Sequence, residues 1–139
     1  MILGRLFSQA MLVAFALAAY VSFDTGYDDP SRPLTRISCS DGRNGLMTKY
    51  HWQTQGQVSG FPNIGGVQGI TWNSTQCGTC YRLSYGGKSI RLLALDASFN
   101  GGFNIGLRAM NALTDGNGEQ FGHIDAESQS VPIAECGIR

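Results

Sequence analysis

Cleaving a glycosidic bond takes two carboxyl groups flanking it, one as acid and one as base or nucleophile. The carboxylates are therefore the first residues to place. Asp96 closes the apolar run Ser89 to Leu95, where a half-buried carboxyl is costly unless it has a partner or a task. The plain alternative is a strand-end turn residue bonded to a nearby backbone N–H. Asp41 stands in Ser40-Asp41-Gly42, first of all a turn, where it can cap the following segment. Asp125 follows an apolar segment, and Asp115 and Glu119 fall in turn-rich, solvated chain. No spacing pairs any of them with Asp96, which weakens an enzymatic reading.

Other catalytic signatures are missing as well. The chain has no G-x-S-x-G elbow, the strained turn that exposes a serine nucleophile. His51 and His123 stand singly, without a partner at metal-ligand spacing, and read as structural or surface residues. No catalytic residue, metal or cofactor is expected.

Cys39, Cys77, Cys80 and Cys136 are the four cysteines. An even number in an exported chain implies two disulfides, and four cysteines allow three pairings. The Cys77-Gly78-Thr79-Cys80 spacing also matches a redox pair, but no βαβ pattern surrounds it. It could form half a zinc site, yet there is no second C-x-x-C. Structural staples are the better reading, worth roughly 3–4 kcal/mol each for loops of about 40 to 60 residues. The sequon Asn73-Ser74-Thr75 makes Asn73 a candidate glycosylation site, the alternative being an ordinary turn.

The export reading comes from the N-terminus. Arg5 precedes an apolar stretch from Ala10 to Val21, and Ala16 and Ala18 give an A-x-A cleavage pattern, with Ala19 as a second small residue. The run falls short of the ~20 apolar residues that span a bilayer; an anchor or a buried helix is the rival reading. The expected organisation is a secretion signal over 1–19 and one domain over 20–139.

Composition narrows the partners. With 42% apolar and 14% charged residues and 19 glycines, the chain is neither disordered nor a coiled coil. So many glycines point to short strands joined by turns and bulges. Ten basic and ten acidic residues give zero net charge, with no basic run for phosphates. Nucleic acid and, after signal cleavage, membrane are not expected partners; a neutral glycan fits better.

The elements that must position these residues read as mostly β. Val21 to Arg36 predicts a first strand and a loop, and Gly42 to Tyr50 a short helix. Phe61 to Gly66 predicts a loop, since Pro and paired Gly oppose regular structure, followed by a strand from Val67 to Trp72. Cys80 to Tyr85 alternates as a half-buried strand should, Gly86-Gly87 supplies a tight turn, and Ser89 to Leu95 returns. Phe103, Leu107, Met110 and Leu113 recur at helical steps, predicting a helix over 104–113. Phe121 to Ala126 and Val131 to Cys136 predict two closing strands. Trp52, Trp72, Phe99 and Phe103 are expected as core or loop anchors rather than sugar platforms, because large aromatics in a small domain are mostly buried.

Several blocks, taken in order, resemble a known family. These are Cys39-Ser40-Asp41-Gly42-Arg43-Asn44-Gly45-Leu46, Phe61-Pro62-Asn63-Ile64-Gly65-Gly66 and Trp72-Asn73-Ser74-Thr75-Gln76-Cys77-Gly78-Thr79-Cys80. Leu93-Ala94-Leu95-Asp96, Gly102-Phe103-Asn104-Ile105 and Ala109-Met110-Asn111-Ala112-Leu113-Thr114 complete the series. Together, over residues 21–138, they resemble the cerato-platanins of filamentous fungi. One departure is Tyr81, where a tryptophan is expected after the C-x-x-C.

The resemblance implies a six-stranded double-psi β-barrel related to expansins, with short helices and the pairs Cys39–Cys77 and Cys80–Cys136. It implies a wall location, binding of chitin-type oligosaccharides or wall polysaccharide, recognition by a plant receptor in eliciting defence, and loosening without hydrolysis. It also points to a shallow polar groove involving Asp41, Asn44, Tyr85, Asp96 and Asn104. Three functions follow as expectations. A non-catalytic glycan binder and elicitor, expected as a monomer, comes first. A loosening protein or weak hydrolase centred on Asp96 would differ in releasing reducing sugar, and a self-assembling surface protein would differ in forming films.

Overall fold

The computed structural model describes residues 16–139. Residues 1–15 of the expected export segment lie outside the described residues, and its last residues open the first strand. Six strands close into a barrel: β1 (Leu17–Phe23), β2 (Ile64–Val67), β3 (Cys80–Tyr85), β4 (Lys88–Ala97), β5 (Phe103–Ile105) and β6 (His123–Val131). Their order around the barrel is β1-β5-β2-β4-β3-β6. β1 runs parallel to β5, and β2 parallel to β4; the other neighbours are antiparallel. Three short helices, α1 (Leu46–Tyr50), α2 (Leu107–Thr114) and α3 (Gly118–Phe121), complete the fold. The expected barrel with short helices is thus the fold observed.

The hairpin β3–β4 is the element that sequence predicts best. Alternation from Cys80 to Tyr85 buries Leu83 inside the barrel opposite Ile90, and Gly86 and Gly87 turn with φ of 54° and 80°. The interior is filled by Val21, Leu83, Leu92, Ile105 and Ile124, each at most 4% exposed. Full burial of such a side chain stabilises by about 1.5–3 kcal/mol. α2 lays Ala109, Met110 and Leu113 on this core. The disulfides are Cys39–Cys77 and Cys80–Cys136, with Cα separations of 5.5 and 5.9 Å, the pairing that the family resemblance implied.

Other expectations give way. Residues 64–67 form β2, not loop, and the chain turns after Val67 where a strand was expected to Trp72. Phe103–Ile105 is a strand bonded to both β1 and β2, so the helix starts at Leu107 and not at Asn104. Its first turn is capped from afar: Asp28 Oδ2 and Oδ1 accept the Leu107 and Arg108 amides at 2.9 and 3.1 Å. Phe121 ends α3 and the strand begins at His123. Ile133–Cys136 is a 3-10 turn rather than a strand, entered through Pro132 and tied by Cys136 to β3. No helix among the described residues is long and apolar enough to cross a membrane.

Candidate functional site

One irregularity in the barrel organises the site. Along the parallel pair β2–β4, Gly65 faces Ala94 but Gly66 faces Asp96, so β4 spends two residues where β2 spends one. In a regular ladder Ala94 and Asp96 would share a face. The bulge instead places Asp96 level with Gly66, which is level with Asn104 on β5, which is level with Ser22 on β1. His123 on β6 continues the row beside Ser22. The interior is taken by Ile105, Phe103 and Val21, the chain neighbours of Asn104 and Ser22, so this row of half-exposed polar residues lies on the outer face. Bulges recur where a side chain must be re-aimed.

Gly66 is required there. A Cβ on it would lie 2.3 Å from the Ala97 carbonyl oxygen, so the backbones cross too closely for any side chain. Asp96 and Asn104 therefore flank, on neighbouring strands about 4.8 Å apart, a buried strand position that carries no side chain.

Each polar group in the row is held. Asp96 Oδ1 accepts the Ser38 amide and the Ala97 amide, both at 2.9 Å, and its Oδ2 accepts the Tyr27 hydroxyl at 2.8 Å. Burial, and next the Asp96 charge, raise the Tyr27 phenol far above its ordinary range, so Tyr27 stays protonated and donates. Ser22 Oγ donates to Asn104 Oδ1 at 3.1 Å, and among the described residues the Asn104 side-chain nitrogen Nδ2 has no hydrogen-bond partner. Tyr27 sits in a 3-10 turn, Thr25–Asp28, braced from beneath by Gln55. That fully buried side chain donates from Nε2 to the Gly26 and Asp29 carbonyls at 2.9 and 2.8 Å.

The other expected residues form a second cluster. Asp41 Oδ1 accepts the Trp72 indole N–H at 2.7 Å. The Asn44 amide donates to Asn73 Oδ1 at 2.9 Å, and Asn44 Nδ2 donates to the Asn73 carbonyl at 3.0 Å. The candidate glycosylation residue Asn73, at φ 59°, is therefore held against the Asn44 loop. This cluster adjoins the first through Ser38-Cys39-Ser40, since Ser38 is bonded to Asp96 and Cys39 to the Leu95 carbonyl.

Tyr85 does not join them. It pairs with Lys88 at the far end of the β3–β4 hairpin, eight residues along β4 from Asp96 and so about 25 Å away. There it lines an open cleft of about 450 Å³ with Arg82, Lys88, Asp125 and Glu127. Of the remaining carboxylates, Asp115 pairs with Lys88, and Asp125 is on β6, two strands around the barrel from Asp96 by way of β3. None of these carboxylates is bonded to Asp96.

Two aromatics depart from expectation. Phe103 is buried and Trp52 packs partly buried against the core, but Trp72 is 59% and Phe99 97% exposed. Tyr81, where tryptophan was expected, meets Phe103 edge-on at 5.2 Å. His123 stacks on Tyr20, with ring centroids 5.0 Å apart. Tyr27, Ser22 and Gln55 were not singled out in the sequence because their partners lie 69, 82 and up to 29 residues away.

Comparisons with known proteins place the chain by its sequence and its fold. A sequence model of the family described as cerato-platanin matches residues 19–138. The heat-stable 19 kDa antigen of Coccidioides posadasii is 44% identical over 125 residues, covering 89% of this chain and 84% of that one. Crystalline cerato-platanin 2 from M. perniciosa superposes with a TM-score of 0.82 at 39% identity, covering 88% of this chain and all of that one. The solution structure of the fungal elicitor cerato-platanin gives a TM-score of 0.75 at 33% identity, with 84% and 95% covered. A mutant Clavibacter michiganensis expansin in complex with cellohexaose shares the fold alone, at 16% identity and a TM-score of 0.57, over 85% of this chain and 51% of that one. The chain belongs to the cerato-platanin family.

Proposed function

We propose that this is a secreted, non-catalytic protein of the fungal wall that binds chitin-type or related β-linked polysaccharide along the row Asp96, Gly66, Asn104 and Ser22. The observation that carries this reading is the row itself, in which a fixed carboxylate and a carboxamide stand level on either side of Gly66, a position without a side chain. A sugar chain laid across the row would meet both polar groups. The Asn104 amide nitrogen, already oriented by Ser22, offers a hydroxyl or acetamido oxygen a donor at little ordering cost. A neutral chain also suits a protein of zero net charge. The expansin complexed with cellohexaose supports the polysaccharide class by its likeness of fold.

Binding without cleavage is the better reading of Asp96. Its oxygens already accept three protein donors, and the acid–base pair of a glycosidase needs a second carboxyl within about 10 Å. Expansin-like loosening is a companion activity that needs no bond cleavage. Elicitation of plant defence, through a plant receptor, follows from membership alongside the elicitor cerato-platanin.

Calorimetric titration of the oxidised domain with chitohexaose and cellohexaose tests this. Heat of binding that is lost in Asn104→Ala, with no reducing sugar released, is expected. Release of reducing ends, or the same affinity in the variant, would overturn it.

A further inference from the structure

Phe99 is 97% exposed, an unusual position for a large apolar ring. Its place in the chain is informative. The connection from β4 to β5 leaves the barrel after Ala97 and returns at Phe103, so each stem of the Phe99 loop adjoins one of the two residues, Asp96 and Asn104, that flank Gly66.

The loop is fixed at both ends. The Ser98 amide donates to the Val67 carbonyl at 3.3 Å and Ser98 Oγ to the Gly101 carbonyl at 3.0 Å. Gln68 clasps the other end, its amide donating to the Gly102 carbonyl at 2.8 Å and its Oε1 accepting the Gly102 amide at 3.1 Å. Gly102, at φ 56°, passes so close to β1 that a Cβ would meet the Tyr20 carbonyl oxygen. The ring is thus held out in solvent by an ordered turn.

Its surroundings indicate what would cover it. The loop neighbours are Ser98, Asn100, Gly101 and Gly102, small and polar. A stable protein interface needs about 800 Å² per partner with an apolar centre, which one phenyl ring among small polar loop neighbours does not supply. A pyranose ring has the matching character: an apolar C–H face the size of one aromatic ring, edged by hydroxyls. We propose that Phe99 is the stacking platform of the glycan groove, holding the C–H face of one sugar unit while Asn104 and Asp96 bind the polar edge of another. The assignment rests on the polysaccharide reading above. It adds a preference for β-linked chains with flat, exposed ring faces, and for oligomers long enough to reach both places.

The test uses chitohexaose and cellohexaose against the full oxidised domain, compared with Phe99→Ala and Phe99→Trp. The side chain is solvated, so both variants fold. Phe99→Ala is expected to weaken hexamer binding about three- to tenfold, the reach of a single aromatic contact. The disaccharides should lose less, Phe99→Trp should restore affinity, and nuclear Overhauser contacts should join the Phe99 ring to sugar C–H protons. Hexamer binding unchanged in Phe99→Ala would overturn this assignment and leave the groove standing. No binding by the unaltered protein would overturn both. Concentration-dependent dimerisation abolished by Phe99→Ala, with glycan affinity intact, would reassign the ring to a contact between copies.

Discussion

The Tyr27 hydroxyl donates to Asp96 Oδ2 at 2.8 Å across 69 residues of chain, making a turn beside β1 part of the site on β4. Because burial and the Asp96 charge hold the phenol protonated, the native state resists ionisation that the unfolded chain undergoes near pH 10. Native Tyr27 then keeps its proton where the unfolded chain loses it, so stability is fully present below about pH 10 and falls as pH rises beyond it. Urea denaturation from pH 8 to 11 should show that loss, and Tyr27→Phe should flatten it. An identical slope in the variant would contradict the assignment.

Asp96 anchors three donors and is also a binding group in the function proposed above, so its variants must be chosen to separate the two. Asp96→Ala leaves the Ser38 and Ala97 amides and the Tyr27 hydroxyl without their acceptor, at a cost of about 2–4 kcal/mol. Asp96→Asn retains a carbonyl oxygen for the two amides and should cost about 1 kcal/mol. Denaturant midpoints of the two variants decide this, and equal losses would show that the carboxylate is not what those donors need.

Gln55 is placed to act on the site without touching it. Its side-chain nitrogen ties the Gly26 and Asp29 carbonyls that bracket Tyr27. Gln55→Leu takes the side-chain donor from both carbonyls, leaving them only the long bonds from the Asp29 and Arg32 amides at 3.4 Å, while removing Gln55 Oε1, the one buried side-chain polar atom among the described residues that has no partner. The net expectation is a loss of about 1–3 kcal/mol, accompanied by altered resonances of Tyr27 and Ser38. A destabilised variant with those resonances unmoved would restrict Gln55 to packing.

At Gly66 the expectation is steric. Gly66→Ala drives a Cβ against the Ala97 carbonyl, and since the obstacle is backbone, β2 and β4 must separate. A loss of about 3 kcal/mol or more follows, with amide exchange quickening first along Gly66, Asp96 and Ala97. A variant of ordinary stability would mean that the crossing is looser than described.

These residues also mark how far the sequence reaches. Alternation and a glycine pair disclosed β3 and β4, because a hairpin is a local structure whose signals lie within a few residues. Gly65-Gly66 carries the same residue type with the opposite meaning. Beside Pro62 it reads as a loop, but its lack of Cβ serves a strand crossing set by chain that is distant in sequence. Phe103 falls in helical phase with Leu107, Met110 and Leu113, yet pairing on both sides holds 103–105 extended. Gly106, together with Asp28 from another segment, moves the helix start. Residue type and family resemblance pointed to Asp96 and Asn104, which the fold brings into one row, whereas Tyr85 shares the β3–β4 hairpin with Asp96 but stands at its other end. Exposure of Trp72 and Phe99 was not legible, since burial depends on what the rest of the chain lays over a residue.

The groove itself is the central claim, and ¹⁵N shift mapping of the oxidised domain during titration with chitohexaose addresses it directly. The account predicts shifts confined to Ser22, Gly66, Asp96, Asn104 and the Phe99 loop, diminished in Asn104→Ala, with Tyr85 and Lys88 unmoved. Shifts centred on Tyr85, Asp125 and Glu127, with Asp96 and Asn104 silent, would contradict it and place the glycan in the cleft at the opposite end of the barrel.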